Sequence, residues 1–535
     1  MSAITVGFAI GEEIFAKKHY IVTDECILSL VFMNINAENL RLILGVKLKQ
    51  LRNERDFSLS ELAAKSGLSA SYLSEIEKGK KYPTPDKILL LANALGVTFD
   101  DLVSAQMSET LDPLTTFLKS PLIKEFPFEL FGIEPRDLVH LITDSPQEAG
   151  AFIQTLLEIG QSYDMSVEQF LFAALRSYQK MHSNYFDDLE SAAEEFARGH
   201  ALSTEPPLDV KRLVSLLTGE YGYEIGEIPL DDFPELKKFR SISTKEKTPK
   251  LFLNGKLLPS QKAFLLAREL GFRHLRLEEH PTTSTWLEVR SFAEVLNNYK
   301  ASYFAGALFI NRSVLKRELE QFFTKTTWNA SAFLSIMQRF EATPEMFLYR
   351  LSQLMPEFFG MREMFYLRFN NEIGSNEYKL TKELNMSRVV VPHAIGLNEH
   401  YCRRWLSIKL LEQLAAKSKR ALRDATIADA QRSHFIDGDA EFFVISVARP
   451  LALTEDTNSS ITLGFLMNED FKKTVRFWND PAIPFLEVNE TCERCALPRT
   501  VCKERAVPAT IYRKQQIQKE RQQALRRFLE RVSAG

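Results

Sequence analysis

The sequence predicts a multidomain, mostly α-helical protein that also contains two regions of mixed α and β structure. A chain of 535 residues with 45% hydrophobic content can form roughly three or four domains, each with its own core. Between residues 39 and 200 apolar residues recur every three or four positions, which is the period of an amphipathic helix. After residue 205 this pattern gives way to short extended runs separated by turns, such as the Asn-Gly in "LFLNGKLL".

Composition narrows the classes of function. The net charge is only -3, so binding to nucleic acid requires a local basic surface rather than the field of the whole protein. No apolar run approaches the roughly 18 residues that a membrane span needs, and we expect a cytoplasmic protein with no membrane partner. Five cysteines are a sparse and odd number, which argues against a disulfide framework.

Residues 1–38 are interpreted as an N-terminal extension, because no periodic pattern joins them to the helices that follow. Met33 stands directly before the first well-formed domain. Two alternatives stay open: translation begins at Met33, or the segment is an ordinary extension.

A first domain, predicted at 39–107, contains five short helices. Ser58 and Glu61 have the spacing of a capping box, and Ser69 has the position of an N-cap for the third helix. Gly67 stands where the chain must turn sharply between the second and third helices. The predicted core consists of Leu59, Leu62, Ala63, Leu68, Leu73, Ile76, Ile88 and Leu95.

The third helix of this domain predicts a DNA-contact surface, because hydroxyl and charged side chains at its beginning can reach base edges and phosphates. The candidate DNA-binding residues are Ser69, Ser71, Tyr72, Ser74, Glu75, Lys78, Lys80 and Lys81. The alternative is a five-helix protein-interaction module.

The run "SLSELAAKSGLSASYLSEIEKGKKYPTPDKILLLANALGV" resembles the Cro/CI-like (XRE) helix-turn-helix family along nearly its whole length. The resemblance implies a lambda-repressor-like fold and binding to double-stranded operator DNA as a dimer. Half-sites would then lie about 34 Å apart, one turn of the double helix, or a multiple of that distance.

Residues 108–204 are interpreted as a helical connecting or dimerisation region, because their apolar residues keep helical spacing. The proline pair and polar residues of "HALSTEPPLD" indicate its boundary.

Residues 205–340 begin a different pattern, in which two predicted strands are followed by the helix "SQKAFLLARELGFRHL". This order resembles the ImmA/IrrE metallopeptidase-like family, whose zincin-like helix carries H-E-x-x-H and whose later helix supplies a carboxylate ligand. Two histidines four residues apart hold zinc on one helical face, and the glutamate between them activates water. Here Arg268 and Phe272 stand at the histidine positions, Glu269 remains, and Lys300 stands where the carboxylate is expected.

An arginine and a lysine would repel the cation, so we predict a degenerate domain with no catalytic residue and no enzyme activity. Glu269 is then a helix residue paired with a neighbouring arginine. An improvised metal site at His274, Glu278 and His280 is the alternative.

Residues 341–510 are predicted to form an α+β sensor domain with a cysteine cluster. Cys492, Cys495 and Cys502 form a C-x2-C-x6-C array, and Cys402 is the candidate fourth ligand. Four thiolates suit an iron–sulfur cluster or a structural zinc, and spacing alone does not choose between these and no metal at all.

The segments "FEATPEMFLYRLSQLMP", "EHYCRRW", "EFFVISVARPL" and "ITLGFLMNEDF", with the cysteine run, resemble the short-chain fatty acyl-CoA regulators, the ScfR/PrpR/RamB-like group. The resemblance implies a 4Fe-4S cluster on these cysteines and a short-chain acyl-CoA as small-molecule effector. We therefore expect a transcriptional regulator that acts as a homodimer or higher homo-oligomer and senses a metabolite, redox state or both. Two rivals remain: a metallopeptidase that acts on a partner repressor, and an antitoxin-like autoregulated scaffold.

Residues 511–535 predict a basic amphipathic helix. A solvated charged face is the simpler interpretation, and contact with phosphates or a partner is the alternative.

Overall fold

The computed structural model describes residues 37–103, 127–132, 155, 166–244, 246–284, 289–388, 399–417, 425–436, 438–454 and 456–534. The chain divides into two compact units, residues 1–165 and 166–535. The predicted N-terminal extension up to residue 36, and most of the predicted connecting region before residue 166, lie outside the described residues.

The described part of the first unit contains the predicted helix-turn-helix. Its helices are α1 (Ala37–Asn53), α2 (Leu59–Ser66), α3 (Ala70–Glu77), α4 (Pro85–Leu95) and α5 (Phe99–Val103). The local signals act as predicted: Ser58 and Glu61 form the reciprocal capping box, and the Ser69 hydroxyl accepts the Tyr72 amide at 3.2 Å. Gly67 has a φ of +70°, the left-handed conformation that the tight turn requires.

The core of the first unit contains much of the set that the apolar pattern predicts. The buried members of that set are Leu62, Leu73, Ile76, Ile88 and Leu95. Leu59, Ala63 and Leu68 pack against them but remain partly exposed. An ion pair adds to this packing, since Arg52 of α1 contacts Glu77 of α3 at 2.7 Å with both side chains mostly buried.

Helix α1 crosses the end of α3 at Gly45, and the contact leaves no space for a side chain. A Cβ atom on Gly45 would lie 2.4 Å from the carbonyl oxygen of Ile76 and 3.0 Å from that of Glu77. We expect Gly45→Ala to lower the free energy of unfolding of this unit by about 1–3 kcal/mol, because backbone must move. Hydrogen exchange of 37–103 should accelerate, whereas Gly306→Ala, where a Cβ meets nothing, should leave that exchange unchanged. Equal exchange in both variants would contradict the crossing.

The second unit begins with a helical part that contains a small sheet. Its elements are α6 (Val167–Met181), α7 (Asp187–Gly199), α8 (Val210–Gly219), β1 (Glu224–Glu227), β2 (Ser241–Ser243), β3 (Lys250–Leu253), α9 (Pro259–His274), α10 (Phe292–Phe309), α11 (Arg312–Phe323), α12 (Ala330–Arg339) and α13 (Pro344–Phe358). The strand order is β1-β3-β2, with β1 parallel and β2 antiparallel to β3. Helices α9 and α10 cross closely at Gly271, whose Cβ would lie 2.9 Å from the Phe304 ring.

The second unit continues into a larger sheet. Its remaining elements are β4 (Met364–Glu372), β5 (Lys379–Asn385), α14 (Leu406–Ala415), β6 (Ile427–Phe435), β7 (Glu441–Pro450), β8 (Thr457–Leu466), α15 (Glu469–Thr474), β9 (Phe485–Val488) and α16 (Thr510–Ala534). The strand order is β5-β4-β8-β7-β6-β9, and every pairing is antiparallel except that of β6 with β9.

The two faces of the large sheet pack against different helices. Odd-numbered residues of β4 such as Phe365 join Trp405 and Leu411 of the α14 side in one apolar core. Even-numbered residues such as Tyr366 face α13, where the Tyr366 and Tyr349 rings lie 5.3 Å apart. The strand period of two therefore gives the α13 side a separate set of polar residues.

The predicted C-terminal helix corresponds to α16, most of whose side chains are exposed through residue 529. Within the described parts of the chain, no helix combines the length and the apolar character that crossing a membrane requires.

Candidate functional site

The predicted DNA-contact residues lie on or just after α3. Ser69, Ser71, Lys78, Lys80 and Lys81 are exposed, and Tyr72, Ser74 and Glu75 are partly exposed. The hydroxyl of Ser69 accepts a backbone amide as N-cap, but its hydrogen remains able to donate. One surface therefore presents hydroxyls near the beginning of the helix and ammonium groups at its end.

A lysine that the sequence pattern missed joins this surface from α4. The Lys87 Nζ lies 4.3 Å from the centroid of the Tyr72 ring, and the Lys81 Nζ lies 5.8 Å from it. Lys81 also contacts Glu75 at 2.8 Å, and this hydrogen bond raises the pKa of Lys81. These cation–π contacts of Lys81 and Lys87 stabilise the position of the Tyr72 ring. The available signal was the place of Lys87 in the first turn of α4, beside the predicted DNA-contact helix.

The degenerate peptidase positions form a buried polar network around Glu269. Its Oε2 lies 2.9 Å from His280 Nε2, and its Oε1 lies 3.5 Å from the Arg268 guanidinium. The hydroxyls of Tyr223 and Ser243 donate to it at 3.4 Å. Desolvation opposes ionisation of Glu269, but His280 and Arg268 outweigh it and lower the pKa of the carboxyl.

Side chains that do not bind metal stand at the ligand positions and pack against their neighbours. Arg268 is buried beside Glu269, and the Phe272 ring packs on His280 with centroids 4.0 Å apart. Lys300 lies half-buried on α10. His274 packs instead against Phe304 and Phe196.

The alternative site at His274, Glu278 and His280 is not assembled, since His280 is turned to Glu269. Among the residues that the structure describes, no three or more His, Cys, Asp or Glu side chains are placed to hold a metal ion.

The cysteine region is assembled by backbone pairing between two distant segments. The Cys402 amide donates to the Glu490 carbonyl at 3.1 Å, and the Cys492 amide donates to the His400 carbonyl at 2.8 Å. His400 is fixed in turn by Glu493, with Nδ1 and Oε1 2.8 Å apart. The segment that carries Cys402 is thereby held against the one that carries Cys492.

The loop that carries Cys492, Cys495 and Cys502 also wraps around one arginine. The Arg505 guanidinium is buried and donates to the carbonyl oxygens of Cys492, Cys495 and Leu497. A guanidinium that satisfies three carbonyls fixes the path of the loop.

All four candidate cysteines, Cys402, Cys492, Cys495 and Cys502, are buried, with only 3% of each exposed, and none of the four forms a disulfide. Burial raises the pKa of Cys402 to about 12, and the nearby Cys492 and Cys495 add to the increase. Burial likewise raises the pKa of Cys502. The donor chemistry fits a thiolate-bound group, because a cation is what would stabilise buried thiolates, although the thiols would have to move closer together to bind one.

Comparisons with known proteins agree with the resemblances to the XRE helix-turn-helix family and to the ImmA/IrrE family. The helix-turn-helix family model matches residues 48–102, and the IrrE N-terminal-like domain model matches residues 220–352. The chain is 40% identical over 140 residues to the HTH-type transcriptional regulator SutR of Escherichia coli, which covers 24% of this chain and 76% of that protein. It is 38% identical over 66 residues to the uncharacterized HTH-type transcriptional regulator y4dJ of Sinorhizobium fredii, covering 12% of this chain and 86% of that protein.

Among solved structures, a Mycobacterium tuberculosis transcriptional regulator matches with 19% sequence identity and a TM-score of 0.44, covering 63% of this chain and 94% of that one. The sequence matches, the capped helices of the first unit and the exposed surface of α3 all indicate a DNA-binding helix-turn-helix. The chain belongs to the XRE-type helix-turn-helix family of transcriptional regulators and also carries an IrrE N-terminal-like domain.

Proposed function

We propose that this transcriptional regulator binds a two-fold symmetric operator as a homodimer, and that its C-terminal region senses an effector. The observation that carries the DNA-binding part is the exposed surface of α3. Ser71, Tyr72 and Ser74 reach base edges, while Lys78, Lys80, Lys81 and the newly found Lys87 contact phosphates. The half-site spacing is the one expected for the family, about 34 Å or a multiple.

The observation that supports sensing is the set of four buried cysteines on two paired segments of the chain. Cys402, Cys492, Cys495 and Cys502 would hold a 4Fe-4S cluster, with a structural zinc as the alternative. A cluster bound there would respond to oxidation and reduction. Arg505 fixes the loop that carries three of the cysteines. A metabolite, with a short-chain acyl-CoA as the candidate, would shift the population between dimers that fit the operator and dimers that do not.

Metal and acid-labile sulfide content, with the visible absorption spectrum, tests the sensor proposal on anaerobically purified protein. We expect iron and sulfide in the wild type and loss of both in Cys495→Ser. Cys26→Ser, which changes a cysteine outside the proposed set, serves as the matched control and should keep them. Zinc in place of iron, lost in the same variant, would assign a structural role to the cysteines. Protein that contains no metal would refute a cysteine-bound cluster.

The IrrE N-terminal-like domain acts, in this proposal, as a non-catalytic element. The support is the Arg268, Glu269 and His280 network in the place of a zinc site. The rival function, cleavage of a partner repressor, has the family match of residues 220–352 in its favour. Metal content together with an assay of repressor cleavage separates the two, because zinc that persists in Cys495→Ser and cleavage that is lost in Glu269→Gln would support the peptidase.

A further inference from the structure

The α13 side of the large sheet contains a group of cations that the DNA-binding and cysteine sites do not use. We call it the cationic recess and define it by six residues: Arg240, Glu345, Tyr349, Arg368, Lys382 and Arg449. They come from the loop before β2, from α13 and from strands β4, β5 and β7.

Strand register places like charges side by side. Arg368 of β4 and Lys382 of the edge strand β5 are direct cross-strand partners. Arg449 of β7 aligns through Ser459 with Asn370, two residues from Arg368, so it projects from the same face. Like charges directly opposite each other destabilise a sheet, so this arrangement costs folding free energy unless something compensates it.

Helix α13 neutralises only part of this positive charge. The Glu345 carboxylate contacts Arg449 at 2.8 Å and Arg368 at 3.6 Å, and these cations outweigh desolvation to lower its pKa to about 2. One turn along the helix, the Tyr349 ring centroid lies 3.4 Å from the Lys382 Nζ. Four cations therefore face one carboxylate, which both Arg368 and Arg449 already share.

Two of the cations, Arg240 and Lys382, are available to bind a ligand. The side chains of Arg240 and Lys382 make no hydrogen bond or ion pair with any residue in the described ranges, and both remain exposed to solvent. The surrounding protein and the charges of Arg368 and Arg240 nevertheless lower the pKa of Lys382 to about 7. Arg240 therefore lies close enough to Lys382 for both cations to act on one anion.

We propose that the cationic recess binds a compact multivalent oxyanion, held between Arg240 and Lys382. Guanidinium groups match the oxygens of phosphoryl and carboxylate groups with paired hydrogen bonds, and an anion would neutralise the repulsion across β4 and β5. Phosphoryl groups are favoured because they concentrate more charge in the same volume. This inference deepens the proposed effector function and rests on it.

Isothermal titration calorimetry of the full chain with inorganic pyrophosphate, at low salt and without DNA, tests the proposal. We expect binding by the wild type and a loss of affinity of roughly tenfold or more in Lys382→Met and in Arg240→Gln, since each removes a charge-assisted contact. Lys473→Met, an exposed lysine of α15, is the matched control and should bind like the wild type. Citrate in a second titration distinguishes carboxylate from phosphoryl recognition, and binding of either anion at this site supports the proposal.

The pH dependence of sulfate binding provides an independent readout, since sulfate itself does not titrate near neutral pH. The groups facing Lys382 are Arg240, Arg368, Glu345, Tyr349 and Tyr366. Glu345 stays anionic because its pKa is lowered to about 2, and burial raises the pKa of Tyr349 to about 12 and that of Tyr366 further. Lys382 loses its proton as pH rises, so affinity should fall from about pH 6 to about pH 8 in the wild type and stay level in Lys382→Met.

The proposed anion site would be wrong if neither pyrophosphate nor citrate binds, or if Lys382→Met and Arg240→Gln both bind with wild-type affinity. A different result would contradict the effector proposal alone. In that case the cationic recess would bind pyrophosphate, but pyrophosphate would leave the affinity for operator DNA unchanged.

Discussion

The Ser71→Glu variant loses specific operator binding by at least about a hundredfold, because a carboxylate is placed against the acceptor-rich groove and the phosphates, and like charges at an interface cost several kcal/mol. Ser71 is exposed on the second residue of α3, so the substitution leaves the core intact. Fluorescence anisotropy with an operator selected from random DNA measures the effect.

Asn93→Glu provides the matched control for this variant. Asn93 is exposed on α4, two turns beyond Lys87, and the substitution adds the same charge away from the proposed DNA surface. Its affinity should stay close to that of the wild type. Equal losses in Ser71→Glu and Asn93→Glu would mean that overall charge, rather than the surface of α3, determines binding.

The Arg350→Met variant loses about 3–5 kcal/mol of stability in the second unit, because Glu190 is left as a buried carboxylate without its partner. Arg350 and Glu190 are both 1% exposed and join α13 to α7 through two hydrogen bonds. Tyr303 also donates to Glu190 at 2.8 Å, so α10 depends on the same pair.

Thermal and urea unfolding of the full chain measure this loss. The double variant Arg350→Met with Glu190→Met should be more stable than the single variant, since no unpaired charge remains. Arg317→Met breaks an exposed ion pair with Glu205 and should cost no more than about 1 kcal/mol. A single variant as stable as the wild type would show that the pair does not hold the helices together.

Local signals in the sequence predict the helix-turn-helix well. The capping box of Ser58 and Glu61 and the left-handed Gly67 act over three or four residues, so the sequence alone contains the information. Lys87 was missed because its position beside Tyr72 depends on how α4 packs against α3.

Non-local pairing explains what the sequence left open in the second unit. The pattern predicts that Glu269 pairs with a neighbouring arginine, and Arg268 does contact it, but the closer partner is His280, eleven residues away. The six-stranded order of the large sheet, and with it the pairing of Arg368 with Lys382, is set by register between strands distant in sequence. Alternation along one strand predicts which residues share a face, but not which strand lies beside it.

In the proposed function, the C-terminal region controls the affinity of the helix-turn-helix for operator DNA. The most direct test is the affinity of the full chain for its selected operator, measured anaerobically before and after the group bound by the cysteines is oxidised. We expect a change of at least about tenfold, equivalent to about 1.4 kcal/mol, in the wild type and none in Cys495→Ser. An unchanged affinity in the wild type, with the bound group demonstrably oxidised, would rule out control by the cysteine site.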